Sequence, residues 1–290
     1  MRNIFTVDLE DWYLVNENDR YNNFQNMNEY RENLHSNVRT ILSLLKRKNI
    51  KATFFVLGKL AETEPEIVNE IYSNGHEIAC HGYNHKRVSE MTQEEFKRDL
   101  ELSIKVIQKV CGITPKGYRA ANFSINKNNL WSLFVLKEFG FAYDSSIYPI
   151  KHYSEFKRNE INMSPYVHES GIIEFPLSCI EIIKYRIPFS GGAYFRFIPF
   201  NLFCNFIKKI NKQGRELIFY IHPWELNNSF PISSVSGLSK LRKFYNINKV
   251  ESRLKSMVDK FDFYSIEEYI INNFSKNYSI YLKLIIKLFN

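Results

Sequence analysis

The sequence predicts a single α/β domain in which a mainly parallel sheet closes into a barrel. Short apolar runs alternate with longer segments of helical period, which is the pattern of βα units. About seven candidate strands, most of them followed by a helix, fit a barrel better than an open sheet. A chain of 290 residues is long for one simple domain and short for two full ones, so we expect one large domain.

The first half of the chain alternates regularly between strands and helices. The strands are predicted at Ile4–Asp8, Lys51–Leu57, Glu77–Cys80, Gly117–Ala120 and Ala142–Asp144, with helices between them over residues 28–48, 66–73, 92–111 and 128–139. Apolar residues recur three or four apart from Leu34 to Leu45, which favours an amphipathic helix. Asn74 and Gly75 end the second helix, and Thr92 begins the third with Glu95 at capping-box spacing.

The regular alternation is expected to break after residue 145. Residues 146–196 carry proline, glycine and aromatic residues around one clear strand, Gly171–Phe175, which predicts an irregular insertion rather than a second domain. Regularity returns with the helix Asn201–Gln213, the strand Glu216–Ile221 and a last helical stretch over residues 237–261. We therefore expect one domain over residues 1–270 and a tail over residues 271–290.

Composition excludes several classes of protein. Hydrophobic residues make up 44% and charged residues 24% of the chain, which excludes a disordered, collagen-like or coiled-coil protein. The net charge of +8 is dispersed without a dense basic run, so nucleic-acid binding is not expected. The four cysteines form no C-x-x-C motif, and acidic residues occupy the N-terminus where a signal peptide would be apolar. A cytoplasmic location is expected.

Acidic and histidine side chains follow two of the predicted strands, at the ends where α/β folds place their active sites. Asp8, Glu10 and Asp11 (TVDLEDW) could bind a metal or cap a following turn. His81 and His85 (CHGYNH) lie four residues apart, which favours a shared metal over one capping and one exposed histidine. With one acid from the first strand they would form a site with an open position for water, as in hydrolytic metal sites.

A third histidine, His222, ends the strand Glu216–Ile221 in the segment FYIHPWE. A lone histidine is more often a core residue satisfied by the backbone. The position at a strand end, followed by Pro223 and Trp224, instead favours a general acid at a sugar-sized cleft.

On these motifs the chain resembles the polysaccharide deacetylases of the NodB-homology type, carbohydrate esterase family four. It is most similar to the branch with the exosortase-associated, peptidoglycan-deacetylase-like and allantoinase-like members. The resemblance extends from the first strand to about residue 270 and implies a distorted (β/α)7-type barrel. It also implies a hydrolase that removes N-acetyl groups from an amino sugar in a polysaccharide or glycan precursor. The implied cofactor is a divalent metal, with zinc as the first expectation and cobalt, nickel or manganese as alternatives.

The resemblance further implies a role for each motif residue. The implied catalytic residues are Asp8 as base, Arg119 (GYRAANFSI) orienting that base, His222 as acid and Asp144 (YDSSIYP) tuning that histidine. The implied metal ligands are Asp11, His81 and His85. Strand alternation places Asp8 and Glu10 on one face, whereas a turn after Leu9 would bring Asp11 round. The acidic ligand is therefore open between Glu10 and Asp11, and Asp11 is the first expectation.

The chain also departs from the family pattern. The usual proline after the motif arginine is Ala121, and the neighbouring aromatic residue is displaced to Phe123, which leaves the backbone oxyanion donor near Ala121 or Asn122 undecided. The segment SGGAYFR, from Ser190 to Arg196, resembles a glycine-rich segment of the exosortase-associated branch. Four aromatic residues are expected to stack on sugar rings: Trp12, Phe123, Tyr194 and Trp224.

Two other functions and one location remain open. The same site could hydrolyse a formamide or another linear or cyclic amide on a lipid-linked sugar or small molecule, and a barrel without catalysis could bind carbohydrate. The tail from Lys276 to Asn290 is basic and amphipathic but too short to span a bilayer. It could dock on the protein's own surface or on a second subunit, or lie on the inner face of the membrane. In that last case the substrate could be a lipid-linked glycan.

Overall fold

The wall of the domain is a nine-stranded sheet that curls into a distorted barrel, as predicted. The computed structural model describes residues 1–11, 27–150, 155–157, 160–183, 185–226 and 244–274. In these ranges the strands are β1 Asn3–Leu9, β2 Thr53–Val56, β3 Glu77–Cys80, β4 Gly117–Tyr118, β5 Tyr143–Asp144, β6 Tyr166–Val167, β7 Ile173–Glu174, β8 Cys179–Ile182, β9 Tyr185–Pro188, β10 Ile218–Ile221 and β11 Phe263–Tyr264. The order around the barrel is β10-β1-β2-β3-β4-β5-β7-β6, with β11 beside β1, while β8 and β9 form a separate hairpin.

Helices cover the outside of the barrel. They are α1 Met27–Arg47, α2 Gly58–Thr63, α3 Pro65–Ser73, α4 Gln93–Cys111, α5 Trp131–Glu138, α6 Ala193–Phe197, α7 Phe200–Lys212, α8 Val250–Lys260 and α9 Ile266–Phe274. The predicted capping box at Thr92 and Glu95 is present at the start of α4, and Gly112 ends that helix with a left-handed φ of 72°. Of the helical stretch predicted over residues 237–261, the part that lies in the described residues is helical mainly over α8. No described helix combines the length and apolar character needed to cross a membrane.

Strand β1 shows how the barrel separates its core from its site. Phe5, Val7 and Leu9 pack outward in the hydrophobic cluster between sheet and helices. Ile4 belongs to a second cluster inside the barrel, whose lower end is covered by Ile266 and other residues of α9. Because side chains alternate along a strand, Thr6 and Asp8 follow Ile4 on the inner face. The interior is therefore apolar at the lower end and polar at the C-terminal mouth.

The glycine-rich segment after β9 closes the barrel against β10. Gly191 forms a parallel bridge with Tyr220, and the Tyr220 N–H donates to the carbonyl of Ser190 at 3.1 Å. A Cβ atom on Gly191 would lie 1.8 Å from the backbone oxygen of Tyr220, and Gly192 has a φ of +53°. Only glycine permits so close an approach. The region 146–196, predicted to be irregular around one strand, thus also contains β6, the β8–β9 hairpin and α6.

Candidate active site

The predicted polar residues meet at the mouth of the barrel, where β1, β3, β4 and β10 end. Asp8 is 2% exposed and Arg119 is fully buried. The Arg119 Nη1 atom donates to Asp8 Oδ1 at 2.6 Å and to Thr6 Oγ1 at 2.8 Å. Its Nε and Nη2 atoms donate to the carbonyl and hydroxyl of Ser145, and its guanidinium lies 4.0 Å from the ring centroid of Phe55. Four hydrogen bonds hold this buried cation, and one of them fixes one oxygen of Asp8.

A carboxylate and two imidazoles form a second group beside Asp8. The Glu10 Oε2 atom lies 2.7 Å from His85 Nε2 and 3.3 Å from His81 Nε2. The ligand atoms of these three buried residues all lie within 4.8 Å of one another, which is the arrangement of a metal site. Among the described residues, these three side chains are the group that could hold a metal ion.

Of the two acids left open by the sequence, the structure groups Glu10 with the histidines, and not Asp11, the first expectation. Alternation along β1 continues one residue beyond the strand, so that Glu10 follows Asp8 to the inner face, and the Glu10 N–H donates to the Asp8 carbonyl at 3.0 Å. The carboxylate that reaches the two histidines is therefore that of Glu10. Asp11 is buried at 3% exposure but is not in the three-residue group.

A backbone carbonyl determines which nitrogen of His81 faces Glu10. His81 Nδ1 lies 2.7 Å from the carbonyl oxygen of Arg119. A carbonyl only accepts, so Nδ1 carries the proton and a neutral His81 presents the lone pair of Nε2 to the carboxylate. Lone pair and carboxylate repel unless a proton or a cation lies between them. This donor set thus fits a divalent metal, and the carbonyl holds the ring as in other metal sites.

The loop that carries both histidines is held by α4. Asp99 Oδ2 accepts the backbone N–H of Tyr83 at 2.9 Å. Gly82 has a φ of +78°, and a Cβ atom there would lie 3.0 Å from the same carboxylate oxygen. His85 itself has a positive φ of 57°. Burial raises the pKa of Asp99 to about 6, against the lowering effect of the loop N–H groups. Asp99 escaped the sequence analysis because it lies on an ordinary amphipathic helix.

His222 faces the acids from the opposite side of the mouth. Its Nε2 atom lies 3.4 Å from Glu10 Oε1 and 4.0 Å from Asp8 Oδ2. Its Nδ1 atom lies 2.8 Å from Glu225 Oε1. The carboxylate beside this histidine is therefore Glu225, three residues along the chain, and not Asp144, the residue expected to support it.

Asp144 instead belongs to a buried hydrogen-bond network behind Arg119. Its carboxylate accepts the hydroxyl of Ser146 at 2.6 Å and the Ser146 N–H at 3.0 Å. Burial raises its pKa and also raises that of Glu174, whose carboxyl group is bonded to it. Two buried carboxyl groups in contact are most stable when they share a proton.

The aromatic residues expected at the cleft are partly placed. Phe123 and Trp224 are half-buried, and the Trp224 ring stacks on His222 with centroids 5.3 Å apart. Phe123 packs edge-on against Tyr220 at 4.9 Å. It has a φ of 54°, as has Asn122 before it, so the loop after Arg119 is strained. Tyr194 is half-buried on α6, and Trp12 lies outside the described residues.

The acidic and histidine side chains at the mouth of the barrel shift one another's pKa values. Burial by itself would raise the pKa of Glu10, but His85, His222 and His81 together hold it well below its usual value. Burial lowers the pKa of His222, against the raising effect of Glu10 and Asp8. For His85 the attraction of Glu10 outweighs burial, and its pKa is raised. The site thus holds an ionised Glu10 next to three histidines, which suits binding a cation and moving protons.

Comparison with known proteins finds two matched regions, which contain His81, His85, Arg119 and His222, while Asp8 and Glu10 lie before both. Residues 22–143 match the family described as Polysaccharide deacetylase, and residues 145–271 match a domain of unknown function, DUF3473. The chain is 36% identical over 90 residues to a peptidoglycan-N-acetylglucosamine deacetylase of Bacillus cereus, covering 31% of this chain and 33% of that protein. It is 37% identical over 79 residues to chitin deacetylase 1 of Cryptococcus neoformans, covering 27% and 17%. The matched stretches thus span a third or less of these two relatives.

A solved structure shows the same fold over nearly the whole chain. A Mycobacterium smegmatis protein described as a polysaccharide deacetylase superposes with a TM-score of 0.60 at 20% identity. The superposition covers 91% of this chain and 87% of that one. Strands from both matched regions of the present chain lie in the one curled sheet.

Proposed function

Because residues 22–143 match the polysaccharide deacetylase family, we propose that the chain is a metal-dependent hydrolase of N-acetyl groups. The substrate would be an amino sugar in a polysaccharide or glycan precursor, and the products would be acetate and a free amine. The observation that carries the proposal is the convergence of Glu10, His81 and His85 between Asp8 and His222. Relatives that are named deacetylases of N-acetylglucosamine in peptidoglycan support the choice of substrate class.

Glu10, His81 and His85 would hold the divalent ion. Two nitrogen ligands and one oxygen ligand suit zinc, and cobalt, nickel or manganese are the alternatives. When bound, such an ion supplies a Lewis acid that polarises the amide carbonyl and lowers the pKa of water. Three ligands from the protein leave room for water and substrate.

Asp8 is the base in this proposal. Arg119 occupies Oδ1 at 2.6 Å, so Oδ2 is the oxygen that remains to accept the proton of the attacking water. The ion pair with Arg119 also holds the Asp8 carboxylate in one orientation, which a base requires.

His222 is the acid. As water forms the new C–O bond, Asp8 takes its proton, and as the C–N bond breaks His222 Nε2 gives a proton to the departing nitrogen. Amide nitrogen is a poor leaving group and needs that proton. Nε2 lies 4.0 Å from Asp8 Oδ2, so the two proton-transfer groups flank one small reaction volume.

Two variants test these roles. Asp8→Asn and His222→Ala are each expected to fold and to reduce acetate release from N-acetylglucosamine oligomers by about 100-fold or more, because each removes one proton transfer. Asp259→Asn is the matched control, because Asp259 is also paired with an arginine, Arg47, but on the outer surface of α8. Turnover near that of the unmodified protein in either site variant would refute the assigned role.

The products separate the alternative functions. Formate release from a formamido sugar without acetate release from N-acetyl sugars would favour the deformylase. Sugar binding without turnover and without metal would favour the inactive barrel.

A cytoplasmic location, with the tail Lys276–Asn290 on the inner face of the membrane, is a separate proposal supported by the sequence alone. This tail lies outside the described residues. Co-sedimentation with anionic vesicles should be lost when the chain is truncated after residue 274. Equal sedimentation of both proteins would reject membrane contact.

A further inference from the structure

A buried ion pair stands behind His222 on the side away from Asp8. Glu225 is fully buried and Arg196 is 2% exposed. Glu225 Oε1 faces His222 Nδ1 at 2.8 Å and accepts the His222 N–H at 3.1 Å. Glu225 Oε2 forms an ion pair with Arg196 Nη1. The two oxygens of one carboxylate thus link an arginine to the histidine.

Local sequence explains how these groups meet. Residues Pro223–Leu226 form a 3-10 turn directly after β10, and the Glu225 N–H donates to the His222 carbonyl at 3.0 Å. A spacing of three residues in such a turn brings the side chain back over its start. Arg196 lies close to Glu225 because the segment before it packs against β10 through Gly191 and Gly192.

We propose that Arg196 and Glu225 are the positioning residues that set His222 as the acid of the deacetylation. The inference rests on the proposed function and adds to it the two residues that orient the histidine for proton donation. A carboxylate only accepts, so Glu225 accepts the Nδ1 proton of the imidazolium form, and the second proton, on Nε2, is directed towards Asp8 and Glu10 and is the one given to the departing nitrogen. Arg196 neutralises Glu225, which would otherwise be a buried, uncompensated charge.

Packing restricts the ring further. Trp224 stacks on His222 at an interplanar angle of 23°, and Tyr220 meets it edge-on at 5.6 Å. The Arg196 guanidinium lies 5.5 Å from the ring centroid of Trp224, so the same arginine contacts both supports of the histidine. Rotation of the imidazole away from the mouth would break the bond to Glu225 and this stacking together.

Substrates with different leaving groups can show whether Glu225 and Arg196 position an acid or form an ion pair with a structural role only. An amide must be protonated on nitrogen as the C–N bond breaks. The 4-nitrophenolate ion of 4-nitrophenyl acetate leaves without a proton, so its hydrolysis needs the ion and Asp8 but not His222. Loss of positioning should therefore lower amide hydrolysis far more than ester hydrolysis. A general loss of folded protein would lower both equally.

The experiment uses the metal-loaded full chain and measures kcat for acetate release from N-acetylglucosamine oligomers and for 4-nitrophenyl acetate. Glu225→Gln should reduce the amide reaction by about 100-fold and the ester reaction by less than about threefold, because positioned proton transfer contributes factors of this size. If loss of the Glu225 charge destabilises that variant, the double variant Arg196→Met, Glu225→Gln removes both charges and should show the same selective loss.

Glu64→Gln is the matched control, since Glu64 is a buried glutamate between Arg31 at 2.7 Å and His35 at 3.0 Å, outside the site. Its ratio of amide to ester turnover should equal that of the unmodified protein. An equal loss of both reactions in the Glu225 variants, or no loss of the amide reaction, would overturn the inference alone. An unmodified protein that releases no acetate from any N-acetyl sugar would refute the proposed function, and the inference with it.

Discussion

Replacement of Glu10 by glutamine is expected to weaken binding of a divalent ion far more than replacement of Asp11 by asparagine. Glu10 Oε2 lies 2.7 and 3.3 Å from the two imidazole Nε2 atoms and is the carboxylate oxygen of the three-residue group. Glutamine keeps the shape of the side chain but removes its charge. Asp11 is also buried, yet its carboxylate is not in the group, so its replacement leaves all three ligands in place.

The size of the effect follows from the number of ligands. Zinc sites with four protein ligands bind with about 10–16 kcal/mol at neutral pH, or about 3 kcal/mol per ligand. At about 1.4 kcal/mol for each factor of ten, loss of one ligand from three should raise the dissociation constant about 100-fold. Asp11→Asn should change it by less than about threefold, because nearby charges outside the ligand set act more weakly.

Competition with a chromophoric chelator for Zn²⁺ measures both constants without any substrate. Glu64→Gln again controls for loss of a buried carboxylate, and thermal unfolding checks that each variant is folded. A larger loss in Asp11→Asn than in Glu10→Gln would refute the geometric argument and restore Asp11, the ligand that the family resemblance implies.

Three further predictions concern the supports of the site and barrel. Asp99→Ala should weaken Zn²⁺ binding about tenfold in the same competition assay, whereas Asp99→Asn, which keeps an acceptor for the loop N–H, should not. Gly191→Ala should destabilise the fold by about 3 kcal/mol in urea unfolding, because its Cβ would meet the β10 backbone. Gly140→Ala, whose Cβ would meet no atom within 4 Å, should cost about 1 kcal/mol. Equal losses of stability in the two variants would contradict the closure of the barrel at Gly191. Burial raises the pKa of Glu77 from 4.5 to about 7. The unfolded chain therefore loses this proton first, and the free energy of unfolding should fall as pH rises through that range. Glu77→Gln should reduce that slope, and identical pH profiles would contradict it.

The regular elements could be predicted because each carries its own local signal. The apolar period of α1, the capping box of α4 and the apolar β2 are visible in the sequence, and all three are present. Strands of two residues, such as β6 and β11, carry no period and exist only through their neighbours. The helix α9 escaped prediction for a related reason, because Ile266 and Ile270 are buried by the open end of the barrel that they cover.

The site could be predicted where the spacing alone determines it. His81 and His85 come together because four residues span their short loop, with ring centroids 5.5 Å apart. The choice between Glu10 and Asp11 depended on where β1 ends, and a difference of one residue reverses the face of a side chain. Glu225 carried a usable signal, its spacing of three residues from His222, but the family pattern directed attention to Asp144.

The position of Asp144 explains why the histidine needs another acid. Its carboxylate accepts the Ser146 hydroxyl at 2.6 Å, and that hydroxyl accepts the Ala120 N–H at 2.7 Å, so this acid supports the loop after Arg119. Burial and the neighbouring Asp144 also raise the pKa of Glu174, whose carboxyl group closes the network. Replacement of Asp144 by asparagine should therefore act through Arg119 and Asp8, which both amide and ester hydrolysis require, and reduce the two reactions by the same factor. A loss confined to the amide would show instead that Asp144 acts on the departing nitrogen, and would return to it the role that the structure gives to Glu225.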